Sequence, residues 1–104
     1  MERAYIGLGG NLGDRAAHLQ GACSALDASA GVALIARSRL YETAPVGPPG
    51  QGAYLNAAVC LETSRAPRAL LERMQQIENA AGRVRGPERN AARTLDLDLL
   101  LYGA

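Results

Sequence analysis

Two stretches of helical period, each set between segments of strand period, restrict this 104-residue chain more than any other feature. In the first, Ala16, Leu19, Ala22, Cys23 and Leu26 recur at helical spacing behind Asp14, a residue suited to cap a helix, and the pattern ends near Gly31. In the second, Leu70, Leu71, Met74, Ile77 and Ala81 form an apolar stripe. Pro67 opens it where a missing N–H costs least, and Gly82 closes it. Ahead of the first helix, Ala4 to Gly9 alternates large and small residues and reads as a short buried strand. Val32 to Tyr41, Tyr54 to Glu62 and the closing leucine-rich stretch read as further strands. The segment "ETAPVGPPGQGA" is a loop on its proline and glycine content.

The resulting order, β-α-β-β-α-β, predicts an α+β domain of ferredoxin-like arrangement. Such a domain is a four-stranded antiparallel sheet with both helices on one face. One domain over residues 1–104 is expected, because a chain of this length holds a single modest core. Strand alternation then sorts the side chains. Leu95, Leu97, Leu99 and Leu101 share one face of the last strand, while Asp96 and Asp98 share the other. In the third strand Leu55, Ala57, Val59 and Leu61 oppose Tyr54 and Asn56. The leucine faces must meet the helices, so Tyr54, Asn56, Asp96 and Asp98 should collect on the uncovered face.

Charge excludes several functions. The net charge of +1 is a poor match for a nucleic-acid or membrane partner, and no apolar run approaches the roughly 18–20 residues that cross a bilayer. All eleven basic residues are arginine, so lysine-dependent Walker and protein-kinase ATP sites are ruled out. Arg83, Arg85, Arg89 and Arg93 crowd together with only Glu88 against them, which marks that stretch as the place for an anion. Two isolated cysteines, Cys23 and Cys60, fit a cytoplasmic location and small core positions. His18 is the only histidine, which removes a catalytic triad partner and a His-based metal site. "GLGGNLGD" departs from a dinucleotide-binding fingerprint because position 12 is Leu12, with Gly13 one residue late. Its glycines read instead as allowing close approach by a ligand or a neighbouring loop. An RNA platform on such a sheet needs stacking aromatics, and the chain has no Phe or Trp.

Asp96 and Asp98, two apart on a strand, hold their Cα atoms roughly 6–7 Å from each other. Repulsion makes that pairing costly unless a cation lies between, and Mg²⁺ suits one or two carboxylates completed by substrate phosphates. Taken alone, the same pair is equally an ordinary solvent-facing strand edge. The arginines just upstream favour a nucleotide-phosphate site. Glu78 falls in the last turn of the second helix, where its charge opposes the macrodipole by ~0.3–1 kcal/mol. It is either a tolerated surface residue or one kept for a ligand.

The combination "YLNAAV…E…RVR…R…RTLDLDLLLYG", with "AYIGLGGNLGD" and "YETAPVG" before it, resembles the 6-hydroxymethyl-7,8-dihydropterin pyrophosphokinase family of folate biosynthesis. The resemblance covers nearly the whole chain. It implies transfer of the pyrophosphoryl group of ATP to the pterin hydroxymethyl, with release of AMP, by a cytoplasmic monomer. By position, Asp96 and Asp98 match the ligands of two Mg²⁺ ions, and Arg83, Arg85 and Arg93 match phosphate contacts. Arg89 falls in the loop that covers the nucleotide, Glu78 matches an acidic residue near its sugar, and Thr43, Val46, Tyr54 and Asn56 match the pterin pocket. Arg83 and Arg93 join the two aspartates as the catalytic set. Three positions depart from the family pattern. Asn90 replaces a common tryptophan, "AART" replaces "GPRT", and Gly10 replaces a common serine. Family members also continue past the position of Ala104 with a Pro-His motif, a further nucleotide-binding arginine and a pterin-stacking aromatic. The resemblance thus implies that these 104 residues fold but catalyse poorly. The alternative is a non-catalytic remnant that binds a ligand or partner.

Overall fold

A computed structural model describes residues 1–44, 50, 52–82 and 94–103. The elements are β1 (Glu2–Gly10), α1 (Arg15–Asp27), β2 (Val32–Arg37), β3 (Tyr41–Thr43), β4 (Tyr54–Thr63), α2 (Pro67–Ala80) and β5 (Asp96–Tyr102). Their order is the expected β-α-β-β-α-β, except that the second strand is in two pieces. The sheet runs β2-β4-β1-β5 with every pairing antiparallel, and β3 continues along the edge of β4 that β2 leaves. Ser38 makes the break. Its backbone N–H donates to the Ala58 carbonyl at 2.8 Å, while its hydroxyl accepts from the Ala58 N–H at 2.9 Å. The hydroxyl thereby takes the place of a ladder carbonyl, and the chain can step out before re-pairing at Tyr41.

Local chemistry sets the helix ends. The Asp14 carboxylate accepts from the Ala17 N–H at 3.2 Å, satisfying one of the orphan donors of the first turn of α1. After α1 the chain turns at Gly31 with φ of +74°, a conformation that L side chains rarely adopt. A Cβ there would also lie 2.7 Å from the Ser64 hydroxyl. The turn is pinned from β4, because the buried Thr63 hydroxyl donates to the Gly31 carbonyl at 2.8 Å.

The core lies between the helices and one sheet face. Ala4, Ile6 and Leu8 of β1, Val59 and Leu61 of β4, and Leu97 of β5 meet Leu19, Leu26, Leu70 and Met74 from the helices. Three expectations need correction. Ala16 is exposed, and Leu71 stands 48% exposed because the buried stripe of α2 follows Leu70, Met74 and Ile77, one residue off its position. Leu101 is 63% exposed, while Tyr102 packs against the core. The cause is a bulge. Ile6 pairs with Leu99 but Tyr5 pairs with Leu101, so the alternation of β5 reverses phase at Leu100. Tyr102 reaches the helix side and its hydroxyl donates to the Arg65 carbonyl. Among the described residues, no helix is long and apolar enough to cross a membrane.

Candidate active site

The uncovered sheet face is built on a floor of glycine. Gly9 of β1 pairs with Asn56 of β4 on one side and Asp96 of β5 on the other. Two residues along, Gly7 pairs with Ala58 and Asp98 in the same way. With strands about 4.8 Å apart, the Asn56 and Asp96 backbones stand roughly 10 Å from each other across a strip with no side chains. The result is a cleft of about 260 Å³ lined by Gly7, Gly9, Tyr54, Asn56, Asp96 and Asp98, with Leu100 at one end. Clefts of about 270 and 290 Å³ on the helix side have no carboxylate among the described residues that line them.

The four residues expected on this face are brought together there. Tyr54, Asn56 and Asp96 are half-buried and Asp98 is exposed. Thr43 joins them. It pairs with Tyr54 across β3 and β4, and its hydroxyl oxygen accepts from the Asn56 amide at 2.8 Å. That bond directs Asn56 toward β3 and along the floor. A Cβ on Gly9 would sit 2.9 Å from the Asn56 Oδ1, a separation that real Cβ contacts essentially never show. The close approach at Gly9 is made by the Asn56 side chain of the paired strand β4, where the sequence suggested a ligand or a neighbouring loop.

Asp96 and Asp98 flank Leu97, whose own side chain is in the core. Among the described residues no group of three or more His, Cys, Asp or Glu converges, so those residues offer no complete metal cage. Two carboxylates beside an open cleft fit Mg²⁺, which keeps several waters and takes phosphate oxygens as its other ligands. Glu78 is buried, 5% exposed, in the last turn of α2. One oxygen of its carboxylate accepts from the Leu97 N–H at 2.7 Å. Arg83, Arg85, Arg89, Arg93 and Val46 lie outside the described residues, as does Asn90.

Sequence reasoning missed Asn11 and Arg15. The Asn11 side chain is buried and donates to the Gly52 carbonyl at 3.1 Å. Arg15 donates to the Ala53 carbonyl at 2.8 Å and pairs with Glu42 at 2.9 Å. Arg15, the first residue of α1, and Asn11, four residues before it, thus hold both ends of the Pro/Gly loop that separates Thr43 from Tyr54. Asn11 had one signal, a polar residue beside a glycine run; Arg15 had none.

An α+β domain of this strand and helix order, with both helices on one face and a bare glycine floor on the other, is of the ferredoxin-like class. The chain belongs to the 7,8-dihydro-6-hydroxymethylpterin-pyrophosphokinase family, whose model matches residues 5–104. It is 48% identical over 102 residues to the 2-amino-4-hydroxy-6-hydroxymethyldihydropteridine pyrophosphokinase of Methylorubrum extorquens, covering 98% of this chain and 64% of that protein. To the protein of the same description from Pseudomonas putida it is 50% identical over 100 residues, covering 96% of this chain and 82% of the relative. The Bacillus subtilis protein is 48% identical over 99 residues, covering 95% of this chain and 59% of its own length. Two of these three alignments therefore span less than two thirds of the relative.

Proposed function

We propose that this chain transfers the pyrophosphoryl group of ATP to the hydroxymethyl group of 6-hydroxymethyl-7,8-dihydropterin, a step of folate biosynthesis. The observation that carries the reading is the shared glycine floor, with the carboxylate pair on one side and the Thr43–Asn56 pair on the other. A phosphate chain held at Asp96 and Asp98 and a pterin held at Asn56 then lie on one surface within about 10 Å. Family membership supplies the substrate class.

In the transfer, the hydroxymethyl oxygen bonds to the β-phosphorus of ATP and gives up its proton. The bond from that phosphorus to the bridging oxygen of the α-phosphate breaks, and AMP leaves. Such reactions are accelerated mostly by positioning and charge neutralisation. Asp96 and Asp98 would hold Mg²⁺, two ions on this reading, which screens the phosphate charge. The family resemblance assigns Arg83, Arg85 and Arg93 to the phosphates, Arg89 to covering the nucleotide and Glu78 to the border of its sugar. The pterin presents paired donors and acceptors, and Asn56 offers both kinds. Thr43, Val46 and Tyr54 complete its pocket. The expectation of a monomer rests on the family resemblance alone. The two free thiols, both buried, suit the cytoplasm. The test is AMP formation from ATP with and without the pterin at fixed Mg²⁺. Pterin-dependent AMP is expected; AMP release indifferent to the pterin, or none at all, would contradict the proposal.

A further inference from the structure

We infer that Glu78 is a positioning residue for the carboxylate pair, acting through the peptide between its two members. This rests on the reading of Asp96 and Asp98 as the Mg²⁺ carboxylates. Among the described residues β5 pairs only with β1, so on its other side its N–H groups face no strand of the described sheet. Leu97 owns one of them. Its N–H donates to the Glu78 carboxylate at 2.7 Å, within the length typical of a charge-assisted bond. The donor is the amide that joins Asp96 to Leu97, one residue before Asp98.

Three anchors then fix this peptide. Leu97 is buried in the core, its register is set opposite Leu8, and its N–H is tied to α2. With Leu97 held, the residues on either side have little freedom to rotate about the strand axis. Their Cα–Cβ bonds then keep one direction with or without a cation between the carboxylates. The location of Glu78 also gains a reason. A carboxylate in the last turn of a helix opposes the macrodipole, and burial adds a desolvation cost. A hydrogen bond from a strand N–H offsets part of both, at a position where α2 ends beside β5.

The experiment uses Mn²⁺ as the metal probe, followed by electron paramagnetic resonance, with either ATP or inorganic triphosphate as its co-ligand. Amide exchange at Leu97 is measured in parallel by NMR without metal. Glu78→Ala should weaken Mn²⁺ binding by roughly 10–100-fold, the usual consequence of losing a partner that orients a ligand. The loss should appear with triphosphate as well as with ATP, and Leu97 exchange should accelerate. Glu78→Gln keeps a carbonyl oxygen for the Leu97 N–H, so it should retain protection at Leu97 and most of the affinity. A loss seen with ATP but absent with triphosphate would overturn the inference in favour of a sugar contact. Equal weakening by Gln and Ala would overturn it in favour of bare charge. Asp96→Ala separates the two layers: if it abolishes Mn²⁺ binding while Glu78→Ala does not alter it, positioning alone fails. If Asp96→Ala leaves binding intact, the metal reading fails as well.

Discussion

The two faces of the sheet are made from the same strands and are put to opposite uses. On the helix side, alternate residues of β1 are Ala4, Ile6 and Leu8, each buried to within a few per cent. On the open side, the intervening positions Gly7 and Gly9 carry no side chain. The helix face is filled to exclude water, and the open face is emptied along its midline so that something else can lie there. Two bulges sharpen the contrast. The alternation of β2 is interrupted between Leu34 and Ala36, and that of β5 between Leu99 and Leu101. Leu100 and Leu101 therefore stand on the open side, both more than half exposed. Substitutions on the two faces should fail in different measurements.

The largest effect is expected from Leu61→Ala. Its side chain is fully buried, and truncation should cost about 2–5 kcal/mol, read as a lower denaturation midpoint in urea. Comparable stability for this variant would show that the helix face is not the core. On the other face, Asp98→Ala should lower turnover on the order of 10²-fold or more while stability moves by no more than ~0.5 kcal/mol. A drop in stability matching the drop in rate would erase the difference between the faces. Asn56→Ala should weaken pterin binding by about 1–3 kcal/mol through unsatisfied polar groups, with nucleotide affinity unchanged. Calorimetry with each ligand separately checks that assignment. Arg15→Ala removes a pair in which Glu42 is 60% exposed and a bond to Ala53, so about 1 kcal/mol or less is expected. Its signature should be local, as faster amide exchange around Ala53. Leu101→Ser should be within ~0.5 kcal/mol of the parent, because the bulge has turned Leu101 outward. A cost of several kcal/mol there would mean that Leu101, and not Tyr102, faces the helices.

What the sequence disclosed follows from periodicity, and what it hid follows from pairing. The helices, their stripes and the sorting of Tyr54, Asn56, Asp96 and Asp98 onto one face need only the repeat lengths of helix and strand. The phase reversal at Leu100 needs the register against β1, which no run of leucines reveals. The break at Ser38 depends likewise on a hydroxyl meeting Ala58, twenty residues away. Leu71 looked equivalent to Leu70 because a single turn cannot tell which of two adjacent leucines faces the sheet. Asn11 and Arg15 bind carbonyls 41 and 38 residues distant, so their task was written only in three dimensions. Glu78 was legible as an oddity, a carboxylate at the wrong end of a helix, but its partner at Leu97 was not.

The central claim is that the open face holds metal and nucleotide together at Asp96 and Asp98, apart from the core that holds the fold. Its most direct test is a calorimetric titration of Mg²⁺ with a non-hydrolysable ATP analogue into the parent chain and into Asp96→Ala, alongside a urea unfolding curve for each. Loss of nucleotide-dependent metal binding in Asp96→Ala with an unchanged unfolding curve is the predicted result. Unchanged affinity in the variant would contradict it.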